Sequence, residues 1–338
     1  MRQRVCWNRR TFVKSLGTIA ASSALLGYDV IPATAEPPPE TTKLRLVHAP
    51  AICLAPQYVA RVLLQQEGFT DIQYIEVNST TPERPVASGE ADISMSAAPA
   101  LVAAIDASDS LLVLAGVHLG CYELFGSGGV RAVRDLKGKT VAVSAMGSAE
   151  HVFLSSMAAY VGLDPRRDIN WVVHASSDAM GLLAEAKIDA YLAFPPEPQE
   201  LRANKVAYVV VNTATDKPWS QYFCCMLAGN REFVRKNPVA TKRVVRAFLK
   251  AADLCAEKPE WVARFIVDKG FTKNYEYALE TLKDVSYNAW RTYDPDSTIR
   301  FHALRLHEAG MIKSNPQKII ARGTDWHCLN ELKNELKA

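Results

Sequence analysis

From residue 43 onward, short apolar runs of strand length alternate with segments whose apolar positions recur every three to four residues. Residues 43–48 alternate, with Leu44, Leu46 and His48 on one side, and predict a strand. Pro56 then opens a helix that carries Tyr58, Val59, Val62 and Leu63 and stops at Gly68. A strand over 72–77, a short helix capped by Thr81 and Pro82, and a strand over 93–96 follow. A helix through Leu101, Val102 and Ile105 and a strand over 111–117 complete the series. Strands alternating with helices predict a parallel sheet covered on both faces.

Gly126-Ser127-Gly128-Gly129 breaks the pattern and is expected to mark a crossing into a second lobe. There the series restarts. Residues 140–143 form a β-branched strand that leads through Ser144-Ala145-Met146-Gly147-Ser148 into a helix with Val152, Leu154, Met157 and Val161, ended by Gly162. Strands over 169–173, 188–194 and 206–211 and a helix over 177–186 follow, and 221–227 returns the chain to the first lobe. The expected division is 36–125 and 221–338 for the first lobe and 126–220 for the second. Four helices are expected after Asn237, after Pro259, over 275–287 and after Asp294, buttressing the first lobe.

In an open α/β sheet, ligands bind at the carboxyl ends of the strands. Those ends nominate Ile52 and Cys53, Ser96 and Ala97, His118 and Tyr122, then Ser144, Gly147 and Ser148, and finally Phe194, Glu197 and Tyr222. Ser148 and the neighbouring backbone N–H groups are expected to donate to a ligand at a helix N-terminus; taken alone, Ser148 also reads as an ordinary N-cap. Glu197 is expected to accept, or else to pair with an arginine at the rim. Tyr122, Phe194 and Tyr222 supply stacking faces.

The first 35 residues stand apart. Arg9-Arg10, an apolar stretch over 16–26 and Ala33-Thr34-Ala35 describe a twin-arginine secretory signal cleaved after Ala35, too short in its apolar part to span a bilayer. This segment holds five basic residues and one acid, so the remaining 303 residues carry 34 basic against 35 acidic side chains. The basic balance of the whole chain belongs to the signal, and nothing in the mature composition points to nucleic acid. Six cysteines remain, without C-x-x-C pairing or zinc spacing, and buried free thiols are expected. Trp326, His327 and Cys328 are too local to close a metal site.

Several short pieces carry a resemblance when taken in order: 55–60 (APQYVA), 87–93 (ASGEADI), 135–143 (DLKGKTVAV), Gly147-Ser148 with His151, 188–191 (IDAY) and Pro196-Glu197. The chain resembles the periplasmic substrate-binding proteins of the nitrate/sulfonate/taurine ABC-transporter family, which also includes pyrimidine-precursor binders and related thiamine-pyrimidine synthases. The resemblance implies a two-lobed type II binding fold, α/β, with parallel sheets flanked by helices and a ligand cleft between the lobes. It also implies a small-molecule ligand and docking onto a membrane permease with its ATPase. The expectation is a periplasmic, monomeric, non-enzymatic receptor without cofactor or metal. The synthase branch is the alternative, with Cys224-Cys225 and His48 or His118 as the residues that evoke its iron and consumed histidine; a ligand-presenting sensory module is a third. Where binders of small anions commonly offer hydroxyls at the first strand end, this chain has Ala51-Ile52-Cys53. With Cys121-Tyr122 and Phe194-Pro195-Pro196, that favours an organic ligand with an aromatic or heterocyclic part.

Overall fold

A computed structural model describes residues 36–77 and 81–337. The secretory-signal reading of residues 1–35 lies outside them. The strands are β1 (Lys43–His48), β2 (Asp71–Glu76), β3 (Ile93–Ala97), β4 (Leu111–Leu119), β5 (Glu123–Gly126), β6 (Lys139–Val143), β7 (Ile169–Val173), β8 (Ala190–Ala193), β9 (Tyr208–Asn212) and β10 (Phe223–Asn230). They form two five-stranded sheets, ordered β2-β1-β3-β10-β4 and β7-β6-β8-β5-β9. The orders are equivalent. In each, a parallel trio beginning at one edge is followed by an antiparallel strand and an outer strand.

The expected all-parallel sheets are therefore mixed. The antiparallel member of each is the strand adjoining a crossing: β5 enters the second sheet directly after β4, and β10 enters the first on the way back. β10 is buried over seven of its eight residues and bonds to β3 on one side and β4 on the other. Such a strand reads as a continuous apolar run, and its direction is not written in that run. Gly116 on β4 makes room for it, since a Cβ there would lie 2.4 Å from the Phe223 ring.

The chain changes sheets at residues 120–122, ahead of the glycine-rich run at 126–129, because Glu123–Gly126 is already paired with β8 and β9. The two passages are tied together there. Tyr122 N–H donates to the Thr213 hydroxyl at 3.0 Å, and Thr213 N–H donates to the Tyr122 carbonyl at 3.0 Å. A side chain at Gly120 would meet the Thr213 carbonyl at 2.1 Å, so only glycine permits this approach.

The long amphipathic helix Pro238–Glu257 packs on the helix Ala55–Gln66 and covers the first sheet, as expected. The helix Pro295–Glu308 does more. It packs on Ala98–Ala107 beside the first sheet and on Ala149–Tyr160 beside the second, where the Ser156 hydroxyl meets His302 Nδ1 at 3.0 Å. No helix among the described residues is long and apolar enough to cross a membrane.

Candidate functional site

A cavity of about 580 Å³ opens where strand ends of both sheets converge. Residues 49–51 after β1, Val77 after β2, and Ser96 and Ala97 at the end of β3 line one side. Ser144 and Ala145 after β6, Ala175 and Ser176 after β7, and Phe194 after β8 line the other. All six are carboxyl ends of parallel strands, where backbone groups leave the ladder and side chains can turn toward a ligand.

Of the residues nominated from sequence, Cys53, Ser96, Ala97, Tyr122, Ser144 and Phe194 line this cavity. Tyr122 and Phe194 face each other with ring centroids 5.9 Å apart. The other six stand outside the lining. Ile52 is buried and donates its N–H to the Pro195 carbonyl, joining the two strand-end loops. His118 is wholly buried behind the wall. Tyr222 stacks on Phe301 at 4.1 Å beside a separate small void.

The turn from Ser144 to Ser148 was expected to offer its N–H groups and hydroxyls, but much of it is satisfied internally. Ser148 is a buried N-cap accepting from His151 N–H at 3.4 Å, and its own N–H goes to the Ala145 carbonyl. Gly147 N–H donates to His151 Nδ1 at 3.0 Å. Burial holds that imidazole neutral, with its pKa down to about 4, which suits an acceptor. Glu197 is neither a rim residue nor paired with arginine. It is buried and accepts from the Tyr191 hydroxyl at 2.7 Å and from Phe194 N–H at 3.2 Å, and burial raises it to about 7. Its contact with the backbone of Phe194 positions that cavity residue from behind.

Two charged residues of the cavity lining went unnoticed in the sequence. Glu150, in the first turn of Ala149–Tyr160, receives the Ser144 N–H on Oε1 at 2.8 Å and the Ser144 hydroxyl on the same oxygen. Its second oxygen, Oε2, is buried without a hydrogen-bond partner. Arg84 stands exposed across the cavity near Gly147 and forms no ion pair among the described residues. Neighbouring Glu83 is buried, and burial raises it to about 7 against the pull of Arg84. The only sequence signal for Glu150 was its place two residues after an N-cap, where acids are common for helix-dipole reasons alone.

Cys225 of β10 also lines the cavity beside Cys53. Behind them, the ligand atoms of Cys53, His118, Cys121 and Cys225 lie within 4.8 Å of one another. Linear spacing gave no hint of this cluster, because its members are contributed by three separate segments, the loop after β1, the end of β4 and β10.

A family model described as NMT1/THI5 like matches residues 55–261. No curated protein matches the sequence. Among solved structures, the periplasmic nitrate-binding protein NrtA from Synechocystis PCC 6803 superposes with a TM-score of 0.72 at 15% identity, over 89% of this chain and 90% of that one. The alkanesulfonate-binding protein SsuA from Xanthomonas axonopodis pv. citri, bound to MOPS, gives 0.67 at 18% identity over 85% and 99%. A Candida albicans gene product with the generic periplasmic binding protein fold gives 0.64 at 16% identity over 84% and 96%. At these identities the likeness establishes the fold, two mixed sheets flanked by helices.

Proposed function

The chain belongs to the NMT1/THI5-like family, and on that premise we propose that it is an exported solute receptor that hands a small organic molecule to an ABC importer. The observation that carries this reading is the cavity itself, lined by six strand ends drawn from both sheets. A ligand held there touches both sheets at once, so the closed arrangement gains contact energy that an open one lacks.

The lining indicates the ligand's chemistry. Apolar and aromatic groups (Leu54, Val77, Met95, Tyr122, Phe194) make up much of the wall. Glu150 Oε2 offers an acceptor already desolvated and unpaired, a costly state that a ligand N–H or O–H donor relieves. Arg84 offers a cation to an acidic substituent. The ligand is thus an organic molecule with an apolar or aromatic body, one hydrogen-bond donor and one acidic group. A bare inorganic anion would leave Glu150 unanswered.

The receptor reading is preferred to a synthase because His48 and His118 both lie off the cavity wall; His48 pairs with Glu76 at 2.5 Å. Delivery places the receptor in the periplasm as a monomer, with residues 1–35 as its twin-arginine signal, and its partners are a permease and ATPase. Replacing Arg9 and Arg10 with lysine should then block export, and unimpaired export would refute that route.

The receptor reading is tested by mass spectrometry of small molecules released from protein purified out of its own periplasm. The released compound should raise the melting temperature, contributing about 2.7 kcal/mol at a hundredfold excess over Kd, and should reduce the radius seen by X-ray scattering. A chemical change in the added compound, or no retained compound at all, would overturn the receptor reading.

A further inference from the structure

We propose that Cys53, His118, Cys121 and Cys225 form a closed Cys3His site for a thiophilic tetrahedral cation, zinc foremost, set into the floor of the cleft. The four ligand atoms already lie within 4.8 Å of one another, and all four residues are buried. In a tetrahedral zinc site, bonds of about 2.3 Å to sulfur and 2.0–2.1 Å to nitrogen leave ligand atoms about 3.5–3.8 Å apart. The cluster therefore needs a contraction of roughly an ångström or less to close on an ion.

The histidine is the more telling half of the evidence. His118 Nδ1 lies 2.8 Å from the Leu119 carbonyl, which can only accept, so this nitrogen carries the proton. Nε2 is then a bare lone pair. It is buried without a hydrogen-bond partner, on a ring in contact with the Cys53 thiol. A backbone carbonyl that fixes the tautomer while the opposite nitrogen stays free is the arrangement metal-binding histidines use. Tyr287 completes the support. Its ring packs edge-on against His118 at 5.2 Å, and its hydroxyl donates to the Cys53 carbonyl at 3.1 Å, so one buried side chain steadies two of the four ligands.

On coordination each of the three thiols loses its proton to solvent. The centre is then one zinc ion, three thiolates and one neutral imidazole, with a net charge of −1 and three protons released per ion. Cys224 lies with its sulfur 3.1 Å from that of Cys121 and can donate its S–H to the Cys121 thiolate. Cys53 and Cys225 line the open cavity, which gives the ion a route in. Four protein ligands leave no open coordination position, so the ion is structural: it cross-links β10, the end of β4 and the first strand-end loop beneath the ligand.

The test uses the mature chain, fully reduced and stripped of metal, with no organic ligand present, so it is independent of what the receptor binds. Zinc is titrated in competition with a chromophoric chelator, and cobalt(II) is substituted for spectroscopy. The expected result is one equivalent of zinc, and for cobalt the intense visible bands and near-ultraviolet sulfur charge transfer of a tetrahedral thiolate site. His118→Gln and Cys225→Ser should each weaken zinc binding by about 100-fold or more, while Cys328→Ser, outside the cluster, leaves it unchanged. The wild-type cobalt spectrum does not depend on whether any variant folds. Absence of stoichiometric zinc uptake, a pale octahedral cobalt spectrum, or a Cys121–Cys224 disulfide in metal-free protein taken from the periplasm would overturn the proposal.

Discussion

Glu150 takes the backbone N–H of Ser144 on one carboxylate oxygen at 2.8 Å, while its other oxygen is buried and unmet beside the cavity. The two oxygens have separable duties. One fixes the strand-end turn after β6, and the other is left for a ligand.

Glu150→Gln retains a carbonyl oxygen for Ser144 but replaces the free acceptor with a donor. Apo stability should change little, and affinity for the released compound should fall by about 1.5–3 kcal/mol, the worth of a hydrogen bond to a charged group. Glu150→Ala should lose affinity and also apo stability. Calorimetric titration and apo melting together read both, and unchanged affinity in Glu150→Gln would move the donor contact elsewhere.

Ser148→Ala separates capping from binding. Because Ser148 caps His151 N–H and stands outside the cavity lining, its loss should cost about 0.5–2 kcal/mol of apo stability and leave affinity unchanged. An affinity loss with an unchanged apo melt would restore Ser148 to the ligand. Gly147→Val should destabilise by about 1–3 kcal/mol, since φ at this position is +83°.

The pH dependence is set by opposing groups. Burial raises Glu83 and Glu197 from 4.5 to about 7, so each contributes stability that is complete below pH 4.5 and is lost as pH rises through 7. Burial lowers His151 and His302 from 6.5 to about 4 and about 3, so each contributes stability that is complete above pH 6.5 and is lost as pH falls through those values. Between pH 4.5 and 6.5 the two pairs offset one another. Glu197→Gln keeps the acceptor for Tyr191 and removes one falling contribution. Its stability relative to the wild type should rise by at most about 1.4 kcal/mol per pH unit from 4.5 to 7 and then level off. Denaturant titrations across this range test it, and parallel curves for the two proteins would refute it.

Arg202 holds the second sheet's flank to the C-terminal helices. It pairs with the buried Glu123 and reaches Glu280 at 2.7 Å and Asp284 at 3.1 Å. Arg202→Ala strands Glu123 as an uncompensated buried carboxylate and should cost about 3–5 kcal/mol. Adding Glu123→Gln should recover much of that loss. The double variant should also show a larger apo radius by scattering if this contact restrains opening; an unchanged radius would confine Arg202 to stability.

The sequence by itself determined most of the elements. Leu44 and Leu46 on one side of β1, Pro56 at a helix start and Gly162 at a helix stop are local signals, and local signals survive in any tertiary context. It also nominated the strand ends where the cavity lies, because βα turns fall there by geometry. Only the tertiary structure revealed β5 (Glu123–Gly126) as a strand and decided the direction of β10, whose buried apolar run looks the same parallel or antiparallel. It also gave Ser148 and Gly147 internal partners in place of a ligand, and it exposed Glu150 and Arg84 to the cavity from positions that look like ordinary helix-start charges. The cysteine cluster is the extreme case. Only His118 and Cys121 are close in sequence; Cys53 and Cys225 lie far to either side of them, so local spacing could not reveal the set. They meet because β10 slots antiparallel between β3 and β4, which sets Cys225 opposite His118. A metal-ligand pattern built by strand pairing is invisible until the pairing is known, since register and direction are properties of two strands and not of either sequence alone.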